Sequence, residues 1–163
     1  MPNPRTVAAL SLLSLTVGAP AAESFALRHA DNEADLAARI AREQDPVKKA
    51  KYEIRLGDLK LQQAASAYDQ DQFESGEKLL NSYSDQMKDA WKLLKESGRD
   101  AVRKPAGFKE LDIALREDAR QLDDLQHRVP FTDRGPLDKV TQEINQTHAE
   151  VMAALFPPGR SRH

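Results

Sequence analysis

Four successive segments of the chain carry apolar or small residues at alternating spacings of three and four. This spacing puts the residues on one face of an α-helix, and that face needs a partner surface to bury it. When the same heptad recurs in four neighbouring segments, coiled-coil-like packing buries all four faces together. The seam residues are Val47, Ala50, Ile54, Gly57, Leu61, Ala64 and Tyr68; Phe73, Gly76, Leu80, Tyr83, Met87, Ala90 and Leu94; Phe108, Leu111, Leu115, Asp118, Leu122, Leu125 and Val129; Leu137, Val140, Ile144, Thr147, Val151 and Ala154.

Proline and glycine separate these segments from one another. Asp45 precedes Pro46 and is a typical N-cap before a proline in the first helical turn. Short connections after Asp69 and Arg128 force the helices on either side to run antiparallel. We therefore predict an all-α chain, an antiparallel up-down four-helix bundle with an additional short N-terminal helix. The predicted helices cover about residues 33–43, 46–69, 72–97, 108–128 and 136–155.

The N-terminus has the pattern of a Sec-type secretory signal. Arg5 is the only early positive side chain, and the uncharged run over 7–19 is too short to span a membrane. Small residues at Ala19 and Ala21 suit cleavage by a signal peptidase. We predict a signal peptide over 1–21 and a periplasmic or extracellular mature chain with no transmembrane segment. The other predicted regions are a linker with a short helix at 22–45, the bundle at 46–156 and a flexible tail at 157–163.

One level of the seams is polar. If the helices alternate in direction, the seams stack into layers, and the central layer collects Gly57, Tyr83, Asp118 and Thr147 between apolar layers. A buried carboxylate needs hydrogen-bond donors, and the two hydroxyls can supply them while Gly57 leaves room for the phenol ring. Two interpretations of this polar layer stay open. It sets the register of the helices, or it forms a small-ligand or proton-linked site.

The second helix has another apolar face, opposite its seam. Tyr52, Leu56 and Leu59 follow one another at i, i+4 and i+7, so a four-helix bundle alone leaves them exposed. Either the short helix before them folds back and covers them with Leu36 and Ile40, or they form a partner or dimerisation surface. We call these three residues the second apolar face.

Composition and motifs exclude several classes of function. Lys plus Arg number 24 and Asp plus Glu number 26, and no basic stripe with aromatics is present, so we expect no nucleic-acid partner. The chain has no cysteine, which excludes disulfides and thiolate chemistry. It also has no phosphate-binding glycine loop, nucleophile elbow or paired Glu-x-x-His motif. We therefore assign no catalytic, metal-ligating or cofactor-binding residue and predict no cofactor.

A partial family resemblance covers Leu56 to Leu80. This stretch resembles a tetratricopeptide hairpin, with Ala64 at the close-packing small position and Phe73 and Gly76 at the family's aromatic and small positions. The resemblance implies a protein-binding module. The sequence as a whole predicts an exported, non-catalytic helical protein that binds an unknown protein partner or itself. The alternative is a small-ligand or metal/heme-binding bundle that uses the polar layer.

Overall fold

The structure, a computed structural model, describes residues 33–157, and all regular elements in that range are helical. The prediction of an all-helical chain is confirmed for these residues. The predicted signal peptide and the tail beyond Pro157 lie outside them. The helices are α1 (33–42), α2 (Pro46–Asp69), α3 (Phe73–Glu96), α4 (Phe108–Arg128) and α5 (Gly135–Leu155), with a 3-10 turn at Phe131–Asp133. No helix within 33–157 is long and apolar enough to cross a membrane.

Local hydrogen bonds fix where α2 and α4 begin. The Asp45 carboxylate accepts a hydrogen bond of 2.8 Å from the Val47 amide, which caps the first turn of α2 as the sequence predicts. Before α4, the Gly107 amide donates to the Glu110 carboxylate at 2.6 Å. Gly107 itself has a φ of +90°, a conformation that only glycine adopts without strain. The sequence therefore specifies both helix starts through short polar side chains.

The four predicted seams form the core. All of their residues are buried except Phe73 and Ala154, which are half-buried. At one level, leucines and an isoleucine from α2 to α5 are at most 1% exposed: Leu61, Leu80, Leu122 and Ile144. The heptad spacing therefore identified the core-facing side of each long helix.

Contacts between side chains give the neighbours and directions of the helices. Helix α2 packs on α3 and α4, and α5 also packs on α3 and α4. Ser84 donates to Glu143 and Trp91 donates to Glu150, so residue numbers rise together and α3 runs in the same direction as α5. Helices α4 and α5 run in opposite directions, because Gln126 donates to Asp138 while Asp112 lies 2.9 Å from His148.

The connection between α3 and α4 supplies a test of the packing at the end of the core. A Cβ atom on Gly107 would lie 2.5 Å from the Leu94 side chain and 3.0 Å from that of Val47. We expect Gly107→Ala to lower the free energy of unfolding by about 2–4 kcal/mol, because it adds a clash to the strain of a positive φ.

The matched control for this substitution is Gly98→Ala. Gly98 also has a positive φ, +64°, but no atom lies within 4 Å of the position of its Cβ. We expect this variant to lose only about 1–2 kcal/mol, the cost of the backbone conformation. Urea unfolding of both variants measures the difference, and equal losses would show that the Leu94 contact does not constrain Gly107.

Candidate functional site

A cleft of about 330 Å³ lies between α2 and α4. We call it the α2–α4 cleft. Apolar side chains and carboxylates share its walls, which is the composition of a site that holds a group with both apolar and cationic parts. The residues that matter most for its chemistry are Ile54, Asp58, Ile113, Ala114, Glu117 and Asp118.

The deepest polar group of the cleft is the Asp118 carboxylate. Asp118 occupies a seam position of α4 and is only 2% exposed, so it faces the core although its side chain ionises. The Tyr83 hydroxyl, from α3 and completely buried, donates a hydrogen bond of 3.0 Å to Asp118 Oδ2. The structure therefore brings together two of the four residues of the predicted polar layer.

The other two residues of the polar layer have different partners from those expected. Thr147 is buried, but its hydroxyl donates to the Glu143 carbonyl at 3.0 Å, within its own helix, so the expectation that it serves Asp118 is wrong. Gly57 leaves room for the Met87 side chain. A Cβ atom on Gly57 would lie 2.9 Å from the Met87 methyl group. Among residues 33–157, Tyr83 is therefore the side-chain donor to Asp118.

Burial shifts the ionisation of both members of this pair. The pKa of Asp118 is raised from 3.8 to about 7, chiefly by burial and also by the negative charges of Asp58 and Glu117, against the opposing effect of the Tyr83 hydrogen bond. Burial also raises the pKa of Tyr83, and the neighbouring Asp118 carboxylate adds to that effect. The hydroxyl therefore stays protonated and remains a donor, while Asp118 changes charge near neutral pH.

Asp58 is the cleft residue that the sequence reasoning missed. It follows Gly57, one position off the α2 seam, and it is half-buried at the contact with α4. The pKa of Asp58 is raised from 3.8 to about 6, chiefly by burial and also by the negative charge of Glu117, while Arg55 opposes the rise. The sequence does contain a signal for Asp58, an acidic residue next to a seam glycine at the level of Asp118. This signal can be recognised only when the helices are placed side by side.

Helix α1 lies along the second apolar face. Leu56 is buried, while Tyr52 and Leu59 are half-buried. The Arg39 guanidinium stands 5.8 Å from the centre of the Tyr52 ring, a cation–π contact. Leu36 and Leu59 line an open cavity of about 350 Å³. Of the two interpretations of this face, the contacts favour coverage by the preceding helix.

An ion pair and a hydrogen bond join the N-terminal end of α1 to α2. Glu33 forms an ion pair with Lys60, and Gln63 donates to the same carboxylate at 3.3 Å. The Glu33 pKa is lowered, chiefly by its hydrogen bond from Lys60. These contacts fix α1 next to the α2–α4 cleft, because the cavity beneath α1 is also lined by Asp58 and Gln62, which belong to both.

The acidic groups of the cleft do not form a metal centre. Within residues 33–157, no set of three or more His, Cys, Asp or Glu side chains is arranged to hold a metal ion. The cleft provides hydrogen-bonding groups, negatively charged carboxylates and an apolar wall.

Comparisons with protein-family models, curated proteins and solved structures find no match. The tetratricopeptide resemblance therefore rests only on residues of the α2–α3 hairpin. The cleft and the surface of this chain are therefore the features that bear on its function.

The Tyr83–Asp118 hydrogen bond generates a prediction at the site itself. Tyr83→Phe removes the hydroxyl that donates to the buried Asp118 carboxylate. We expect a loss of about 1–3 kcal/mol in the free energy of unfolding at pH 8, where Asp118 is ionised. The loss should be smaller at pH 5, because a protonated Asp118 depends less on a donor. Urea unfolding at the two pH values measures both effects.

Tyr68→Phe is the matched control for this experiment. Tyr68 is also buried, but within the described residues its hydroxyl has no hydrogen-bond partner. Removing that hydroxyl is expected to leave stability unchanged or slightly higher, since no bond is lost. Equal destabilisation by the two substitutions would show that the Tyr83 hydroxyl contributes nothing specific to Asp118.

Proposed function

We propose that this protein is an exported, non-catalytic helical protein that binds another protein, or a second copy of itself, through the α2–α4 cleft. We further propose that α2 to α5 form an antiparallel up-down four-helix bundle and that α1 is an additional helix on its side. Buried seams on all four long helices, the short turn between α2 and α3 and the opposite directions of α4 and α5 support this arrangement, in which α3 lies beside α5 and runs parallel to it.

The observation that carries the proposal is the position of Ile113. This side chain is 47% exposed although it is large and apolar, and it lies in the wall of a cleft that also contains carboxylates. An exposed apolar residue beside Asp58 and Glu117 suits a segment that has both apolar and basic side chains. We infer that the partner presents such a segment, with an aliphatic residue against Ile113 and Lys or Arg near the carboxylates.

Export rests on the sequence of residues 1–21. The charge, length and small residues of that stretch support a cleaved signal, from which we infer a mature N-terminus at Ala22. Mass spectrometry of protein recovered from its own host tests this directly. A mass corresponding to residues 22–163 in the periplasm or medium supports export, and an uncleaved chain in the cytoplasm contradicts it.

A small-ligand function is the second candidate, and the depth of the cleft favours it. The cleft reaches Asp118 and, through it, the buried Tyr83 hydroxyl. Its volume of about 330 Å³ falls at the lower end of the range for small-molecule sites, roughly 300–1,000 Å³. The chemistry of the walls points to an organic cation as the ligand, because the charged groups nearest Asp118 are carboxylates.

One substitution tests both functions, and the mass that is lost from the protein tells them apart. Ile113→Glu places a charge in the cleft wall at a half-exposed position, so we expect the protein to stay folded and to lose its partner or its self-association. Val102→Glu is the control, since Val102 is 42% exposed and lies in the α3–α4 connection. The measurement is native mass spectrometry of tagged protein purified from its own host.

Each mass found has a defined meaning. A dimer or a protein complex that Ile113→Glu abolishes and Val102→Glu preserves supports the proposal. An added mass of a few hundred daltons that Ile113→Glu removes supports the small-ligand function instead. A bare monomer for the unsubstituted chain contradicts both.

A further inference from the structure

One end of the bundle exposes an aromatic side chain. Phe156 directly follows α5, and its amide donates a hydrogen bond of 2.8 Å to the Met152 carbonyl, so it continues the last turn of that helix. Phe156 is 67% exposed and Met152 is 37% exposed, although Leu155 beside them is buried. Large apolar side chains that stay exposed one turn apart are typical of a surface that binds something.

Contacts along α5 give the position of Phe156 in the bundle. Helices α4 and α5 run in opposite directions, and Asp112 lies 2.9 Å from His148. One turn beyond His148, α5 is therefore level with Phe108, where α4 begins, and Phe156 lies a further turn out. The parallel helix α3 ends at this level too. Phe156 thus shares an end of the bundle with the connection over 97–107.

The connection over 97–107 is basic. Its charged side chains are all exposed, and three of the four are cationic: Arg99, Asp100, Arg103 and Lys104. Arg99 lies 3.8 Å from the Asp45 carboxylate, and Arg103 lies 3.7 Å from that of Asp100. Exposed ion pairs at such distances contribute little, so these cations can exchange their partners for another anion.

The basic character extends into the adjoining sequence. The stretch over 92–109, which contains the connection, has six basic and two acidic residues in a chain whose net charge is -2. The sequence after Phe156 adds Arg160 and Arg162 and no acidic side chain. We call Phe156 together with Arg99, Arg103 and Lys104 the basic end.

The opposite end of the bundle has the opposite charge. The α2–α3 turn and the α4–α5 turn meet there, where Arg128 donates to Asp69. Residues 69–74 contain three acidic side chains and no basic one, and residues 129–134 contain one of each. Phe131, in the second turn, is 86% exposed. Each end therefore exposes a phenylalanine, but the charges around the two rings differ in sign.

We propose that the basic end docks on an anionic lipid surface, with the Phe156 ring among the headgroups and the three basic side chains on lipid phosphates. Apolar rings next to lysine and arginine are the combination that proteins use at membrane interfaces. The inference concerns one end of the bundle. It does not depend on the α2–α4 cleft or on what the cleft binds.

The difference in charge between the two ends favours a membrane over an acidic protein. An extended anionic surface attracts the basic end and repels the opposite end, so it orients the whole bundle. Phe156 and the connection over 97–107 also lie at one level, so a flat surface can contact them together. A protein partner needs only a local patch and gains nothing from the charge at the far end.

The first test measures binding to lipid vesicles by sedimentation, with protein recovered from its own host. The vesicles contain either phosphatidylcholine alone or phosphatidylcholine with about one third phosphatidylglycerol. We expect binding to the anionic vesicles only, and an affinity that falls at least about tenfold between about 50 mM and about 500 mM salt.

Substitutions at the two ends identify the residues that bind. We expect Phe156→Ser to weaken binding about tenfold, because it removes the apolar contact. Arg103→Gln combined with Lys104→Gln should weaken it roughly twentyfold, since each basic residue near an anionic surface contributes about fivefold. Phe131→Ser is the matched control at the opposite end and should bind normally. Comparison among variants cancels any contribution from residues 1–21, which all of them share.

The second test measures which end faces the lipid. The chain has no cysteine, so Phe156→Cys and Phe131→Cys each introduce a single thiol at an exposed position. A nitrobenzoxadiazole dye attached to that thiol emits at shorter wavelength when it leaves water. We expect this shift for the dye at position 156 when anionic vesicles are added, and no shift for the dye at position 131.

Several results would overturn the inference. Vesicle binding that is absent, that does not require phosphatidylglycerol, or that Phe156→Ser and Phe131→Ser weaken equally contradicts it. A dye that shifts at position 131 and not at position 156 shows the wrong orientation. Without vesicle binding, a salt-sensitive complex with an acidic protein, or copies of the chain joined end to end, assigns the basic end to a protein and also contradicts the inference.

Discussion

No helix of this protein can bury its apolar seam alone, and this constraint organises the rest of the structure. Each long helix carries one buried stripe and a charged remainder, so it becomes stable only against its neighbours. The Asp45 cap and the Gly107 turn fix where α2 and α4 start, and thereby which seam residues face one another. Every feature of the cleft, including the depth of Asp118, depends on that mutual burial.

The sequence predicts the elements well because their signals are local. Seam spacing, proline and glycine breaks and the Asp45 cap identify α2 to α5 with bounds that differ from the structure by about a residue. The sequence does not predict which helices lie side by side. That order depends on the connection over 98–107, and no sequence pattern in this connection fixes the position of the helix that follows it. That α5 lies beside α3 and parallel to it follows only from contacts such as Ser84 with Glu143.

The candidate site shows where sequence reasoning stops. Placing Tyr83 and Asp118 at one level requires only helix periodicity and alternating direction, and the structure places them in hydrogen-bond contact. Assigning Thr147 required knowing where its hydroxyl points, and the carbonyl one turn earlier in its own helix competes for that hydroxyl. Asp58 lies off the seam, and its role depends on how closely two helices approach, which periodicity does not describe.

The polar layer contains an ionisable residue, Asp118, where a neutral residue could also set the register. Raising the pKa of Asp118 from 3.8 to about 7 corresponds to roughly 4 kcal/mol of lost stability when the group is ionised. That is a large share of the net stability of a typical domain, about 5–15 kcal/mol. An Asn at the same position would still accept from Tyr83 and set the register without ionising. Setting the register therefore does not by itself require an ionisable side chain at this position.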